Sequence, residues 1–237
     1  MKRLIIAALA VAAVLVVAGT ALAASIVGPI GFDSYTDGNI HGQQGWSKTG
    51  AYDAEVVNTS RLGFGKALRI SNAITSGAFG DQTFSPGVTA AKVQFDSSFT
   101  LGTTTDTLQD GLAMSVSPDN GQGGRMSYLR FVDTTAGIEV YFDDFKKEKA
   151  DFVETKIATL SRTAPHTIRF LIQLKKGTDG AKIFIEGKQV WKGTTWEGYY
   201  PESVPTVSKM LFRAGGTAAP TTSGQGFLID NVQLASN

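Results

Sequence analysis

The segment that predicts the fold is GGRMSYLRFV, residues 123–132. Its side chains alternate between the two faces of an extended chain. One face takes Ser127, Leu129 and Phe131, and the other takes Met126, Tyr128 and Arg130. We interpret the segment as the central strand of a sheet whose apolar face lies in the core. On the open face, a ring beside a guanidinium offers a polar ligand such as a sugar a platform and fixed donors. The alternative is ordinary solvated surface.

The same period-two alternation recurs along the chain. It is strongest in residues 166–174, where Ile168, Phe170 and Ile172 share one face. The 27 glycines and 14 phenylalanines favour many short strands joined by tight turns. We therefore predict an all-β fold, an antiparallel two-sheet sandwich.

Two further strands predict a groove beside Tyr128 and Arg130. Residues 111–117 place only small side chains opposite their apolar face, which would leave a hollow. If residues 137–143 form the neighbouring strand, they add two acids and a ring to the same face. The predicted ligand-binding residues lie on or beside this groove. They are Asp81, Gln82, Arg125, Tyr128, Arg130, Glu139, Tyr141 and Trp196.

Trp196 belongs to an aromatic cluster with Tyr199 and Tyr200. Such a cluster can stack on sugar rings, or it can plug the end of the sandwich. Both interpretations remain open at the level of sequence.

Residues 1–23 have the pattern of a secretory signal peptide. Lys2 and Arg3 precede an apolar run, and Ala21-Leu22-Ala23 is a small-x-small cleavage site before Ala24. The alternative is a retained anchor helix. We predict that residues 24–237 form a single secreted domain, extracellular or periplasmic, and that no membrane association remains after cleavage, because no later segment has the ~20 apolar residues of a spanning helix.

Charge and cysteine content narrow the classes of partner. Removing residues 1–23 takes away Lys2 and Arg3 but no acid, so the formal net charge changes from +1 to −1. A near-neutral chain lacks the clustered basic face of nucleic-acid-binding proteins, so we expect no nucleic-acid partner. With no cysteine in the chain, an exported protein of this size must be stabilised by burial, without disulfides.

Several motifs resemble those of the concanavalin A-like lectin/glucanase superfamily, which includes laminin G-like modules. They are GFDSY at residues 31–35, GQQGW at 42–46, the hairpin at 183–191 and the closing strand FLIDNVQL at 227–234. Residues 69–86 look most like uncharacterised bacterial exported members. The resemblance implies a jelly-roll sandwich that binds or processes glycans.

The resemblance also suggests two kinds of glycan-cleaving enzyme. Hydrolases of this superfamily carry a Glu-x-Asp-x-x-Glu strand, and the nearest run here places Glu139 and Asp143 on one face without a second glutamate. A lyase would use Tyr128 as base and Arg130 to neutralise a uronate. Its usual Arg-x-Glu-Leu and Gln-x-His signatures are missing.

A structural calcium ion is implied as well, tying the first strand to the last through Asp33 and Asp230. Hard oxygen ligands of this kind suit Ca²⁺ outside the cell. The alternative is that both side chains bond to backbone. The sequence thus predicts a non-catalytic, lectin-like carbohydrate-binding protein, with a glycan-cleaving enzyme or an adhesive cell-envelope protein as alternatives and oligomeric state undetermined.

Overall fold

The computed structural model describes residues 24–50, 52–71, 82–88, 94–121, 127–174, 179–196, 199, 207–216 and 224–236. The predicted signal peptide, Asp81 and Arg125 lie outside these residues. Sixteen strands run through the described part of the chain: β1 (Ala24–Ile30), β2 (Gly38–Asn39), β3 (Ser47–Thr49), β4 (Asp53–Thr59), β5 (Gly65–Ser71), β6 (Gln82–Phe84), β7 (Gln94–Thr103), β8 (Leu112–Asp119), β9 (Tyr128–Thr134), β10 (Gly137–Lys146), β11 (Asp151–Leu160), β12 (His166–Gln173), β13 (Gly180–Ile185), β14 (Lys188–Gly193), β15 (Lys209–Gly216) and β16 (Phe227–Ser236).

The strands form two antiparallel sheets, as the sequence predicted. The front sheet has the order β11-β10-β9-β8-β15-β6-β3. The back sheet has the order β14-β13-β12-β7-β16-β5-β4-β2, and β1 pairs with β16 outside this path. Helical structure among the described residues is of the 3₁₀ type, at Arg61–Gly63 and at Trp196. The prediction of an all-β two-sheet sandwich is confirmed.

Aromatic side chains from both sheets meet in the core between them. Phe99 of the back sheet lies 6.0 Å from the ring of Phe131 and 6.1 Å from that of Phe212, both in the front sheet. All three side chains are buried. Burial of a large apolar side chain contributes about 1.5–3 kcal/mol, so a core of this kind can hold a cysteine-free sandwich together.

The segment from which the fold was predicted has the expected facing but a different rank in the sheet. Leu129 and Phe131 are buried in the core, and Tyr128 and Arg130 lie on the outer face. However, β9 begins at Tyr128 and is the third strand from the β11 edge, so it is not the central strand. That position belongs to β8, because β10 and β11 extend the sheet beyond β9.

Strand β16, near the C-terminal end of the described chain, lies in the middle of the back sheet and pairs there with the first strand, β1. One of its edges pairs with β7. The other edge is shared end to end, with β5 along Phe227–Ile229 and β1 from Val232 to Ser236. An irregularity separates the two halves, and Asn231 there has a φ of +53°.

Within the residues that the structure describes, no helix has the length and apolar character needed to cross a membrane.

Candidate functional site

The candidate site lies on the outer face of the front sheet, across β8, β9, β10 and β11; we call this area the front face. Strands β9 and β10 are hydrogen-bonded neighbours, with Arg130 opposite Tyr141 and Tyr128 opposite Asp143. The alternation that puts Ile138, Val140 and Phe142 in the core puts Glu139, Tyr141 and Asp143 outside. The condition on which the predicted groove depended, that these two strands are neighbours, is therefore met.

Arg130 reaches across β10 to the edge strand β11. Its Nε and Nη2 both donate to the carboxylate of Glu154, and this bond raises the pKa of the guanidinium. On the way, the guanidinium carbon lies 4.9 Å from the ring centroid of Tyr141, a cation–π contact. The guanidinium is thus fixed on two sides, and one face of the Tyr141 ring is covered.

The hydroxyl of Tyr141 continues these contacts along β10. It donates to Glu139 Oε2 at 2.5 Å, and Lys156 of β11 donates to Glu139 Oε1. The bond to Lys156, followed by that to Tyr141, holds the pKa of Glu139 below its usual value, while the bond to Glu139 raises the pKa of Tyr141. We call Glu154, Arg130, Tyr141, Glu139 and Lys156 the front-face network.

The second site feature is a buried carboxyl group. Asp143 is 5% exposed and is hydrogen-bonded to the Tyr128 hydroxyl. Burial, with the nearby charges of Glu154 and Asp144, raises the pKa of Asp143 to about 6 against the opposing effects of Tyr128 and Arg130. Burial and the adjacent Asp143 also raise the pKa of Tyr128.

Aromatic rings cluster at the end of the front face, beside Tyr128. Trp196 lies edge-on to Tyr128 at 5.1 Å and to Phe152 at 4.7 Å, and its indole N–H donates to the backbone oxygen of Asp143 at 3.1 Å. It is 6% exposed, so it anchors the cluster, and its ring is not presented to solvent as a residue that stacks on a sugar would require. The exposed rings are Phe152, at 37%, and Tyr199, at 49%.

The small side chains of residues 111–117, which predicted an open hollow, are more buried than expected. Ala113, Ser115 and Ser117 do lie on the outer side of β8, but Ala113 and Ser117 are buried and Ser115 is half-buried. The hydroxyl of Ser117 already donates to the backbone oxygens of Ser127 and Pro118. A pattern of small residues therefore did not show how much of the strand remains open.

A row of side chains crosses the sheet through Ser115. Ser115 lies opposite Arg130 on one side and Arg213 on the other, and Arg213 lies opposite Gln82. The predicted rim residue Gln82 is thus in register with Arg130, three strand spacings away, or about 14 Å.

The structure separates the two carboxylates first considered as a hydrolytic pair. Glu139 and Asp143 share the outer face of β10, but four residues of extended strand place their Cα atoms about 13 Å apart. Tyr141 lies between them, and Glu139 is bound to Lys156. Glycosidases of either stereochemistry hold their carboxyl groups within ~9.5 Å. The carboxyl group directly opposite Asp143 is Glu154.

Glu154 and Lys156 are functional candidates that the sequence reasoning missed. The irregular pairing between Val140 and Tyr141 sets which β11 residues face outward, and the sequence does not reveal it. The spacing of an acid and a base at positions 154 and 156, on one side of a strand, was the available signal.

Asp33 and Asp230 approach each other at the junction of β1, β5 and β16. The charge of Asp33 contributes to a raised pKa of Asp230, whose main cause is burial, while the backbone N–H groups of Asn231 and Phe32 oppose it. Oδ1 of Asp230 is buried without a hydrogen-bond partner, whereas Asp33 is exposed. Among the described residues, no group of three or more His, Cys, Asp or Glu side chains could hold a metal.

Comparisons with known proteins identify the architecture. No protein-family model matches the chain, and no curated protein matches it. Among solved structures, a "Sialidase" matches with TM-score 0.59 at 15% identity over 90% of this chain, but this chain spans only 18% of its length. The T. cruzi calreticulin globular domain matches with TM-score 0.54 at 10% identity, covering 86% of this chain and 88% of that domain.

A third similar structure is the carbohydrate binding module CBM66 from Bacillus subtilis, with TM-score 0.42, 12% identity, and coverage of 81% of this chain and 96% of that module. At these identities the likeness concerns the fold alone. The class that the structure defines is thus an all-β, two-sheet antiparallel sandwich.

Proposed function

We propose that this protein binds carbohydrate on the front face, as a non-catalytic, lectin-like sandwich. The observation that carries the proposal is the front-face network, in which planar carboxylate and guanidinium groups are held in fixed orientation by one another. Fixed polar groups bind hydroxyls at low entropic cost, because little side-chain freedom is left to lose on binding.

The aromatic cluster supplies the second element of a sugar site. Phe152 lies two residues before Glu154 on β11. Its exposed ring has its centroid 5.0 Å from that of Tyr199. A sugar presents apolar C–H faces together with hydroxyl edges, so a site needs rings beside hydrogen-bonding groups. Rings and network adjoin on the same face.

The proposal also includes the superfamily to which the protein belongs and its export from the cell. The sandwich fold and the motifs at 31–35 and 227–234 support membership of the concanavalin A-like superfamily. The pattern of residues 1–23 supports export by a cleaved signal peptide. Similarity to the sialidase supports a glycan partner.

The proposal is tested by incubating the purified protein with a panel of insoluble polysaccharides and measuring both retention and new reducing or unsaturated ends. We expect retention without new ends, and loss of retention in the double variant Tyr128→Ala with Arg130→Ala. Arg169→Ala, on the back sheet, is the matched control. A protein that passes through every glycan unretained would overturn the proposal.

A second candidate function is glycoside hydrolysis, which the pair Asp143 and Glu154 favours. These residues lie directly opposite each other on β10 and β11, where side chains have Cβ atoms about 5 Å apart. Burial raises the pKa of Asp143 to about 6, whereas Glu154 is held by Arg130. Carboxyl groups in such contrasting surroundings can act as acid and nucleophile.

Release of reducing ends that is abolished by both Asp143→Asn and Glu154→Gln, but not by Asp96→Asn on the back sheet, would establish hydrolysis in place of simple binding. A lyase that uses Tyr128 as base is disfavoured, because burial and the adjacent Asp143 raise the pKa of its hydroxyl and so oppose the phenolate form.

We also propose a structural calcium ion held by Asp33 and Asp230. The donors fit, since both are hard oxygen ligands and Oδ1 of Asp230 is buried without another partner. Bound calcium would neutralise the two carboxylates and tie the junction of β1 and β16 together. The remaining ligands would have to be backbone oxygens or water.

Calcium at tenfold its dissociation constant should stabilise the fold by about 1.4 kcal/mol, measured as a higher melting temperature than in chelator. The variant Asp230→Asn should be insensitive to calcium and more stable than the wild type in chelator, because it removes a charge that burial disfavours. A melting temperature of the wild type that ignores both calcium and chelator would contradict the site.

A further inference from the structure

The charges on the front face are already neutralised by one another. Arg130 is bound by Glu154 through two hydrogen bonds, and Lys156 is bound by Glu139. Among the described residues on the outer faces of β9, β10 and β11, the cations are Arg130 and Lys156, and the carboxyl groups are Glu139, Asp143 and Glu154.

An incoming carboxylate that takes the two N–H groups of Arg130 now bound by Glu154 would therefore have to displace that residue. To reach Arg130 with both oxygens, a uronic or sialic acid would have to displace Glu154, whose side chain is only 30% exposed. Displacement would leave Glu154 close to the Asp143 carboxyl and to the ligand's own charge. Like charges brought this close repel one another, so the exchange is unfavourable.

Hydroxyl groups meet no such obstacle. Each carboxylate oxygen has two lone pairs, so Glu154 and Glu139 can accept from a hydroxyl while they keep their cationic partners. Tyr141 is also held in place, because its ring packs against the guanidinium of Arg130 and its hydroxyl donates to Glu139.

From this pairing we infer that the front face selects uncharged glycans and rejects glycans that carry carboxylates, such as uronic or sialic acids. The inference rests on the proposed carbohydrate-binding function and names the class of ligand. In this arrangement Glu154 is the residue that determines specificity, because it occupies the place that a ligand carboxylate would take on Arg130.

The test compares matched ligands that differ only in charge. The purified wild-type protein is measured against alginate, polygalacturonate and polysialate, each beside its carboxyl-reduced or methyl-esterified form, together with neutral glucans and fructans. We expect retention on neutral polymers, and at least about tenfold weaker retention on each charged form than on its neutral counterpart, as befits loss of one hydrogen bond to a charged group.

The variant Glu154→Gln sharpens the test by leaving Arg130 without a counter-charge. We expect it to gain about tenfold in retention on the carboxylated forms at low salt, and to lose that gain as salt is raised. Asp96→Asn is the control, because it removes a carboxylate from an equivalent two-bond pair with Arg169 on the back sheet. It should leave the preference unchanged.

The outcomes separate the two levels of the proposal. Wild-type retention that is equal or stronger on the charged forms would overturn the inference while the carbohydrate-binding function stands. No retention on any polymer, neutral or charged, would overturn the function and the inference with it. A Glu154→Gln variant that folds normally and gains nothing on charged forms would remove Glu154 as the residue that determines specificity.

Discussion

The two sheets carry nearly the same group of side chains on their outer faces. On the back sheet, Arg169 lies 5.0 Å from the ring centroid of Phe184 and forms two hydrogen bonds with Asp96. On the front sheet, Arg130 lies 4.9 Å from the ring centroid of Tyr141 and binds Glu154 in the same two-bond manner. We call these the back triad and the front triad.

The order of the groups across the strands differs. In the back triad the arginine, on β12, lies between the ring on β13 and the carboxylate on β7. In the front triad the ring on β10 lies between the arginine on β9 and the carboxylate on the edge strand β11. The front arrangement therefore links three strands in succession, and the hydroxyl of Tyr141 extends it to Glu139 and Lys156.

An arginine stacked on a ring and paired with a carboxylate thus occurs on both outer faces, so this group alone does not set the front face apart. Such a triad stabilises a sheet surface modestly, since ion pairs near solvent contribute about 0–1 kcal/mol. What distinguishes the front triad is its connection to further polar groups and to the exposed rings of Phe152 and Tyr199.

The largest expected difference between the triads is in glycan binding. Arg130→Met should weaken retention of neutral glycans by about tenfold to a hundredfold, the loss of one or two hydrogen bonds to charged groups. Arg169→Met should change it less than twofold. Retention assays or calorimetry on both variants measure this, and equal losses would remove the distinction between the two faces.

The next largest expected effect is a dependence of stability on pH that arises from Asp143 on the front face. The pKa of Asp143 is about 6 in the folded protein, above its ordinary value of 3.8, because the group is buried. Its ionised form therefore lowers stability above pH 6, and this penalty disappears as the pH falls below about 4. The penalty should be about 1 kcal/mol, allowing for screening by solvent.

Denaturation at several pH values measures the effect of Asp143 on stability. The stability of Asp143→Asn relative to the wild type should be highest above pH 6 and should fall by about 1 kcal/mol between pH 7 and pH 4. Asp96→Asn on the back sheet controls for removal of a surface carboxylate. A difference between Asp143→Asn and the wild type that does not change with pH would contradict the assignment.

A smaller effect concerns the single hydroxyl that separates the triads. Tyr141→Phe converts the front ring to the back type and should cost about 1 kcal/mol of stability, one net hydrogen bond. Phe184→Tyr makes the reverse change on the back sheet and should be neutral. Urea denaturation of both variants measures the difference, and an equal cost would mean that the hydroxyl contributes nothing specific.

The smallest expected effect comes from the ion pairs themselves. Glu154→Gln and Asp96→Asn should each reduce stability by less than about 1 kcal/mol, and less still in high salt. A much larger loss for Glu154→Gln alone would indicate that attachment of the β11 edge depends on this pair.

Much of this arrangement was predictable from periodicity. Alternation placed Leu129 and Phe131 inside and Tyr128 and Arg130 outside, and the structure confirms this facing. It also placed Glu139 and Tyr141 on the same face as Arg130, because β9 and β10 are consecutive strands joined by a tight turn.

The rest depended on contacts that periodicity does not contain. Glu154 became the partner of Arg130 through an irregular register between β10 and β11. The sequence left open whether Trp196 stacks on a sugar or plugs the end of the sandwich, because it does not show that Tyr128 and Phe152 pack against it. The spacing of Glu139 and Asp143 put them on one face, but it did not show that Glu139 is held by Tyr141 and Lys156.

The pairing of β1 with β16 has a mechanical consequence. Ala24 lies opposite Ser236, so the two ends of the described chain meet at one corner of the back sheet. Tension applied between these ends would load the β1–β16 ladder from that corner and open its hydrogen bonds one after another, as a zipper opens, rather than shearing all of them at once. The protein should therefore yield at low force when pulled by its ends, with β1 peeling away first while β7 and β5 still hold β16 in place.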